Sequence, residues 1–179
     1  MDYLLKAKKW TEYVLVHFMD EEKVFFYFTA TYQNDVIVRK KDNYDGAQPS
    51  GNALMCYNLQ YLSVQFDLPE WAKQSRAMIG SMRKMILQYP ASFSVWAQCF
   101  SLEAEGFTEL VGIGPTAPIA ISLVNKSFLP FKMMLFLTKS NPALALTKGR
   151  ESVDNQYYIC KNGTCSKPVL SLQDYLALI

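Results

Sequence analysis

The sequence predicts a mainly α protein with a β-hairpin near its start and a small α/β unit at its C-terminal end. Three observations carry this. Apolar residues recur at helical spacing in four separate stretches before residue 106. An aromatic run, Val24-Phe25-Phe26-Tyr27-Phe28, is followed by the turn Gln33-Asn34-Asp35 and the short apolar run Val36-Ile37-Val38. Beyond residue 107 the pattern changes to short apolar runs separated by glycine, proline and polar segments. The expected division is residues 1–106, helical hairpins with a β-hairpin inserted at about 24–41, and residues 107–179, a small α/β region.

Each element has its own signal. In residues 2–19, Tyr3, Ala7, Trp10, Val14 and His17 recur at spacings of four and three, and Asp20-Glu21-Glu22 closes the segment. A helix over 50–66 is apolar almost all round and is expected to be an inner one. Pro69 suits the first turn of the next helix. That helix carries Ala72, Ser75, Ile79, Met82 and Ile86 on one face and Lys73, Arg76, Arg83 and Lys84 mostly on the other, until Tyr89-Pro90 stops it. Phe93, Trp96, Ala97, Phe100 and Ala104 define a further helix ending at Gly106. Residues 109–114 and 132–137 read as strands around a helical segment at 118–127, a βαβ-like unit with an expected right-handed connection. Residues 138–156 are polar and irregular, 157–160 suggest a third strand, and Ser171 caps a last short helix with Asp174 three residues on.

Composition narrows the function classes. Half of the 179 residues are hydrophobic and 19% are charged, so the chain is globular. The net charge is +2 with both signs interspersed, and the tight basic cluster Arg39-Lys40-Lys41 is too short for a nucleic-acid face. The most apolar region, 119–137, is interrupted by Asn125, Lys126, Pro130 and Lys132, so no membrane span is expected. Residues 1–10 carry two adjacent lysines with no apolar run of signal-peptide length behind them, which points to a cytoplasmic protein. The four cysteines are then most simply reduced thiols.

The richest stretch is Tyr44-Asp45-Gly46-Ala47-Gln48-Pro49-Ser50-Gly51-Asn52, a polar loop just ahead of a helix start. Glycines allow tight backbone there, and the helix start presents free N–H groups. Together with Val38-Arg39-Lys40-Lys41-Asp42-Asn43 before it, this stretch resembles a known family. So does Tyr158-Ile159-Cys160-Lys161-Asn162-Gly163-Thr164-Cys165-Ser166-Lys167-Pro168-Val169 near the end. Both motifs are similar to the C-terminal part of the long thioredoxin-domain-containing proteins, called spermatogenesis-associated proteins in animals. The resemblance implies a thioredoxin-like domain followed by an (α/α)6 toroid like those of N-acylglucosamine 2-epimerases and six-hairpin glycosidases. This chain has no thioredoxin-like region and lacks the early hairpins, so it is expected to be a partial toroid: a cloned fragment or a shortened open reading frame.

That resemblance makes Asp45 the candidate general acid or base of a sugar site, with Arg39, Tyr44, Ser50 and Asn52 as candidate sugar-binding groups. The alternative for Asp45 is a turn or helix cap through backbone N–H groups. Tyr44 and Asn52 are equally suited to fixing the loop, and Arg39 to pairing with Asp42 or Asp45. Glycoside hydrolysis needs a second carboxylate. Asp42 lies on the approach to the loop, and Glu103 and Glu105 look solvated. The single histidine, His17, lies on the apolar stripe of its helix and cannot supply two bases. Cys160 and Cys165 flank an Asn-Gly turn and are redox candidates: a disulfide, half a metal site or, most simply, two thiols. A zinc site usually shows two-residue spacing and a second ligand pair, so no metal is expected. Gly112-Ile113-Gly114 lacks the rest of a phosphate loop, and no cofactor is expected.

Two functions are therefore anticipated. One is a carbohydrate domain, with a sugar or polyol as ligand and a glycosidase- or epimerase-like activity only in the complete ring. The other is a non-catalytic helical scaffold for a thioredoxin-like region. A cut ring would leave Trp10 and Val14 of the first helix to be covered by that region or by a second copy.

Overall fold

The structure is a computed structural model, and it describes residues 2–179. The chain divides into two compact units, Met1–Ser63 with Leu68–Ala104, and Val64–Asp67 with Glu105–Ile179.

The first unit is built on four helices: α1 (Asp2–His17), α2 (Gly51–Phe66, whose last turn belongs with the second unit), α3 (Pro69–Gln88) and α4 (Ser94–Glu105). Its core gathers Ala53, Met55, Cys56 and Leu59 from α2, Met78, Ile79, Met82 and Ile86 from α3, and Trp96 and Cys99 from α4, with Phe26 and Phe93 between them. Val14, Leu15 and Phe18 add the apolar side of α1. Burying each large apolar side chain contributes about 1.5–3 kcal/mol, so this cluster is the main source of the unit's stability. On α3 the buried face is Ser75, Met78, Ile79, Met82 and Ile86, as the periodicity predicts. Pro69 occupies its first turn, where its missing N–H has no helical partner to lose. The buried stripe of α4 is Trp96, Cys99 and Leu102, one position round from the expected one. Gly106 follows that helix with φ +74°, the left-handed conformation that closes helices.

The expected hairpin at about 24–41 is not formed. The aromatic run has strand composition, but its backbone groups bond to other partners. Val24 and Phe25 N–H groups donate to Asp20 Oδ1, Tyr27 N–H donates to the Phe18 carbonyl, and Phe26 N–H donates to Asn52 Oδ1. A single bridge, Met19 to Phe26, stands where a ladder was expected. The supposed return strand has no apolar face to bury: Ile37 is fully exposed and Val38 largely so. One link survives, from Phe28 N–H to the Lys40 carbonyl.

The second unit carries a four-stranded sheet of order β2-β1-β3-β4, formed by β1 (Thr108–Ile113), β2 (Lys132–Leu137), β3 (Gln156–Lys161) and β4 (Thr164–Cys165). β1 and β2 are parallel, joined through a 3-10 turn and the short helix α5 (Ala120–Val124); β3 runs antiparallel to β1. Direct cross-strand partners share a face. One face therefore presents Leu110, Gly112, Met134, Phe136, Tyr157 and Ile159, and these pack with α5 and the terminal helix α6 (Leu172–Leu176). Ser171 caps α6 by accepting from the Asp174 N–H, as expected. The other face carries Glu109, Val111, Met133, Leu135, Tyr158 and Cys160. Residues 138–155 are irregular apart from a 3-10 turn, but Leu144, Leu146 and Thr147 within them are buried.

Candidate functional site

The loop ahead of α2 is a set of helix caps. Ser50 is the residue before the first turn of α2, and its Oγ accepts from the Ala53 N–H. Asp45, 5% exposed, lies five residues earlier. Its Oδ1 accepts from the Ser50 N–H at 2.9 Å and the Ser50 hydroxyl at 3.0 Å. Its Oδ2 accepts from the Val95 and Trp96 N–H groups at 2.8 and 3.2 Å. Those two N–H groups belong to the first turn of α4, where Phe93 has no side chain able to cap. One carboxylate thus ties two helix starts together, a position also favoured by both helix dipoles. The Asp45 N–H donates to the Ser92 carbonyl and Trp96 Nε1 donates to the Asn43 carbonyl, so the strap is held at several points.

Asn52 is a second clamp. Its Oδ1 accepts from the Phe26 N–H at 2.8 Å, and its Nδ2 donates to the Phe26 and Asp42 carbonyls, each at 3.0 Å. Arg39 lies over the Tyr27 ring, with its Cζ 4.0 Å from the centroid, and donates to the Thr29 carbonyl. Tyr44 is exposed and meets Phe93 edge-on. Asp45 and Ser50 are therefore joined directly, Asn52 follows within the same helix start, Tyr44 stands outside and Arg39 sits on the preceding loop.

Asp20 is the charged anchor of that preceding loop. Buried to 3% exposure, it accepts from Val24 and Phe25 and pairs with Lys41 Nζ at 2.8 Å. Burial alone would raise its pKa, but the Lys41 and backbone hydrogen bonds outweigh it and hold the carboxyl below the usual range. Neither the pairing of Asp20 with Lys41 nor the backbone clamp of Asn52 on Phe26 carries a local sequence signal, because the partners lie 21 and 26 residues apart.

Beside the clamp is a cleft of about 280 Å³. Val14, Phe18, Phe26, Tyr27, Phe28, Leu54 and Met55 form its apolar walls, and Asp42, Asn52 and Asn58 its polar points. Asp45 is not part of its lining. His17 lies in an aromatic cluster with Tyr13 and Tyr32 instead. Glu103 faces Arg76 at 3.7 Å, and Glu105 is exposed at the end of α4. Among the described residues no group of three or more His, Cys, Asp or Glu is arranged to hold a metal ion, and no helix is long and apolar enough to cross a membrane.

The cysteines correct one expectation. Cys160 and Cys165 are joined by a disulfide and are not two thiols. They are direct partners in the β3–β4 ladder, with Cα atoms 3.9 Å apart, because the Asn162-Gly163 turn folds one strand straight back on the other. Cys56 and Cys99 are free and buried, and a hydrogen bond to Cys99 together with burial pushes the Cys56 thiol far up.

No family model matches the chain. Among curated proteins it is similar to spermatogenesis-associated protein 20 of Homo sapiens, 22% identical over 144 residues that cover 74% of this chain and 18% of that protein. The rat protein of the same name (Rattus norvegicus) is 23% identical over 157 residues, 81% of this chain and 20% of that protein. The mouse one (Mus musculus) is 23% identical over 184 residues, 92% of this chain and 23% of that protein. The chain spans about a fifth of the length of these relatives. The chain is thus distantly similar to spermatogenesis-associated protein 20, in agreement with the family resemblance of its two motifs.

Proposed function

We propose that the first unit is a non-catalytic binding module whose cleft takes a neutral sugar or polyol. The observation that carries this is the lining of the cleft. Aromatic rings on Phe18, Tyr27 and Phe28 stand beside the amides of Asn52 and Asn58 and the carboxylate of Asp42. Flat apolar rings suit the C–H faces of a polyol, and amides and a carboxylate suit its hydroxyls. In this reading Asp45 is structural. Both of its oxygens already accept two hydrogen bonds from the protein, which leaves no lone pair poised for proton transfer. The helices around it are taken as part of a helical toroid within a longer chain, with α2 an inner helix and α3 an outer one. The apolar girth of α2 and the one-sided face of α3 support that assignment.

Saturation-transfer NMR with a panel of neutral mono- and disaccharides and polyols tests the proposal. At least one compound is expected to receive saturation, and Leu54→Trp, which fills the cleft from its half-exposed rim, is expected to abolish it. No transfer to any compound, or transfer that survives Leu54→Trp, refutes the sugar reading.

A second reading is favoured by one feature of α1. Tyr3 and Trp10, seven residues apart and so on one helix face, are 85% and 61% exposed, while Val14 turns inward to the core and the cleft. This is the interaction scaffold, with the aromatic face of α1 covered by the thioredoxin-like region of a longer chain or by a second copy. Light scattering over a range of concentrations checks the second copy: Trp10→Glu is expected to dissociate any dimer, and a monomer at every concentration removes it.

A further inference from the structure

The second unit assembles four chemically active side chains on one face of its sheet. Cys160 and Cys165 face each other across β3 and β4, and Asn162 and Gly163 between them have φ of +51° and +77°. Two successive left-handed residues are what a tight two-residue hairpin turn requires, so the register of the two sulfurs is fixed by the backbone. Arg150, from the irregular segment after β2, lies over the Tyr158 ring with its Cζ 4.1 Å from the centroid. Its Nη2 is 2.7 Å from the Cys165 sulfur and 3.6 Å from the Cys160 sulfur. Glu109 is the direct partner of Cys160 across β1 and β3, and so shares its face. Glu109 is 2% exposed, and its Oε2 has no hydrogen-bond partner among the described residues.

A disulfide that only braces a hairpin needs neither a guanidinium on its sulfur nor a buried carboxyl oxygen without a partner on the neighbouring strand. The two sulfurs also differ in access: Cys160 is 1% exposed and Cys165 is half-buried.

We propose that Cys160–Cys165 is a thiol–disulfide exchange site that takes electrons from an external dithiol, with Cys165 as the attacked sulfur, Arg150 as the cation that holds it and Glu109 as the acid for the departing Cys160 sulfur.

The exchange balances as follows. One thiol of the dithiol loses its proton to solvent, and the thiolate attacks Cys165 Sγ. The Cys160–Cys165 bond breaks, its electron pair leaves on Cys160 Sγ, and the Glu109 carboxyl protonates that sulfur. A mixed disulfide now joins Cys165 to the reductant. The second thiol of the dithiol loses its proton to solvent, from which Glu109 regains its own, and attacks its own partner sulfur. Cys165 departs as a thiolate against the Arg150 guanidinium. The dithiol is oxidised by two electrons to a disulfide and the Cys160–Cys165 bond is reduced by two. Burial raises the Glu109 carboxyl, against the opposing charge of Arg150, which favours the protonated form the first step uses. A cation beside a partly exposed sulfur is the setting that stabilises a reactive thiolate.

The test uses the whole chain. Protein isolated without reductant is expected to show two thiols on denaturation, Cys56 and Cys99, and four after native treatment with dithiothreitol. Oxidised glutathione is then expected to restore two. In single variants of the reduced protein, Cys160→Ser is expected to take one glutathione at Cys165, mapped by peptide mass. Cys165→Ser is expected to react about tenfold or more slowly at the buried Cys160. In the Cys160→Ser background, Arg150→Gln is expected to raise the pH midpoint for alkylation of Cys165 by about one unit, a tenfold change in thiolate at fixed pH, and Arg150→Lys to restore part of it. Four thiols at the outset, or a bond that dithiothreitol opens only in urea, overturns the proposal. So do equal rates at the two sulfurs, or a midpoint indifferent to Arg150. Should Arg150→Gln fail to fold, the thiol counts and glutathione rates of the other forms decide the matter.

Discussion

Asp45→Ala is expected to be the most damaging single change in the loop that precedes α2. The substitution leaves three backbone N–H groups, those of Ser50, Val95 and Trp96, and the Ser50 hydroxyl without their acceptor. Losing a cap from one helix start costs about 0.5–2 kcal/mol. Here two starts lose one, and an orphaned buried donor costs about 1–3 kcal/mol. The terms overlap, so the loss is set at about 3 kcal/mol, within a range of about 2–5. Asp45→Asn keeps one acceptor oxygen but turns an N–H donor toward the other pair, and is expected to lose roughly half to all of that. The assay is urea unfolding followed by tryptophan fluorescence. All three tryptophans, Trp10, Trp71 and Trp96, lie in the first unit, so the signal reports on that unit alone. A loss below about 1 kcal/mol for Asp45→Ala refutes the double cap, since orphaned donors in a folded protein are not that cheap.

Three further changes probe the remaining contacts. Gly112→Ala places a Cβ 2.4 Å from a Phe136 ring carbon and 3.0 Å from a Tyr157 ring carbon, so overpacking of about 1–3 kcal/mol is expected, read as faster hydrogen exchange of the β1 amides. Lys41→Met removes the cation from buried Asp20 and is expected to destabilise the first unit by about 1–2 kcal/mol at pH 7, less than a fully buried pair because Lys41 is partly exposed. The folded-state pKa of Asp20 is depressed, so the stability it contributes is present above its unfolded value of about 3.9 and is lost as pH falls through the folded value. The gap between Lys41→Met and the parent is therefore expected to close in urea titrations below about pH 4; a gap constant with pH contradicts the pairing. Glu109 has the opposite sign: its folded pKa is raised by burial, so stability is lost as pH rises from about 4.3 through the folded value. Glu109→Gln is expected to be more stable than the parent at pH 8 and to lose that advantage in acid, by thermal unfolding at the two pH values.

What could be read from the sequence follows the range of the interactions. β2 has the bounds expected for it, 132–137, and the face of α3 follows the predicted one, because a local period decides both. The aromatic run at 24–28 misleads for a physical reason. Strand composition is a local preference, and here Asp20, Phe18 and Asn52 take the N–H groups that a return strand would have used. Asp45 reads correctly as a capping residue toward Ser50, five positions on, but its second pair of donors lies fifty residues away and has no trace in the spacing. Arg150 is invisible for the same reason. It sits in a polar irregular stretch, and only the folded chain brings it to the two sulfurs that the Asn-Gly turn had already marked.

The most direct measurement is an amide-resolved NMR titration of the isotope-labelled chain with the best compound of the sugar and polyol panel. Shifts are expected at Tyr27, Phe28, Asn52, Leu54 and Asn58, which surround the cleft, while Gly46 to Gln48 beside the Asp45 cap stay unmoved. Shifts centred on Gly46 to Gln48, or none at any compound up to its solubility, would contradict a cleft that binds and a carboxylate that only holds the helices.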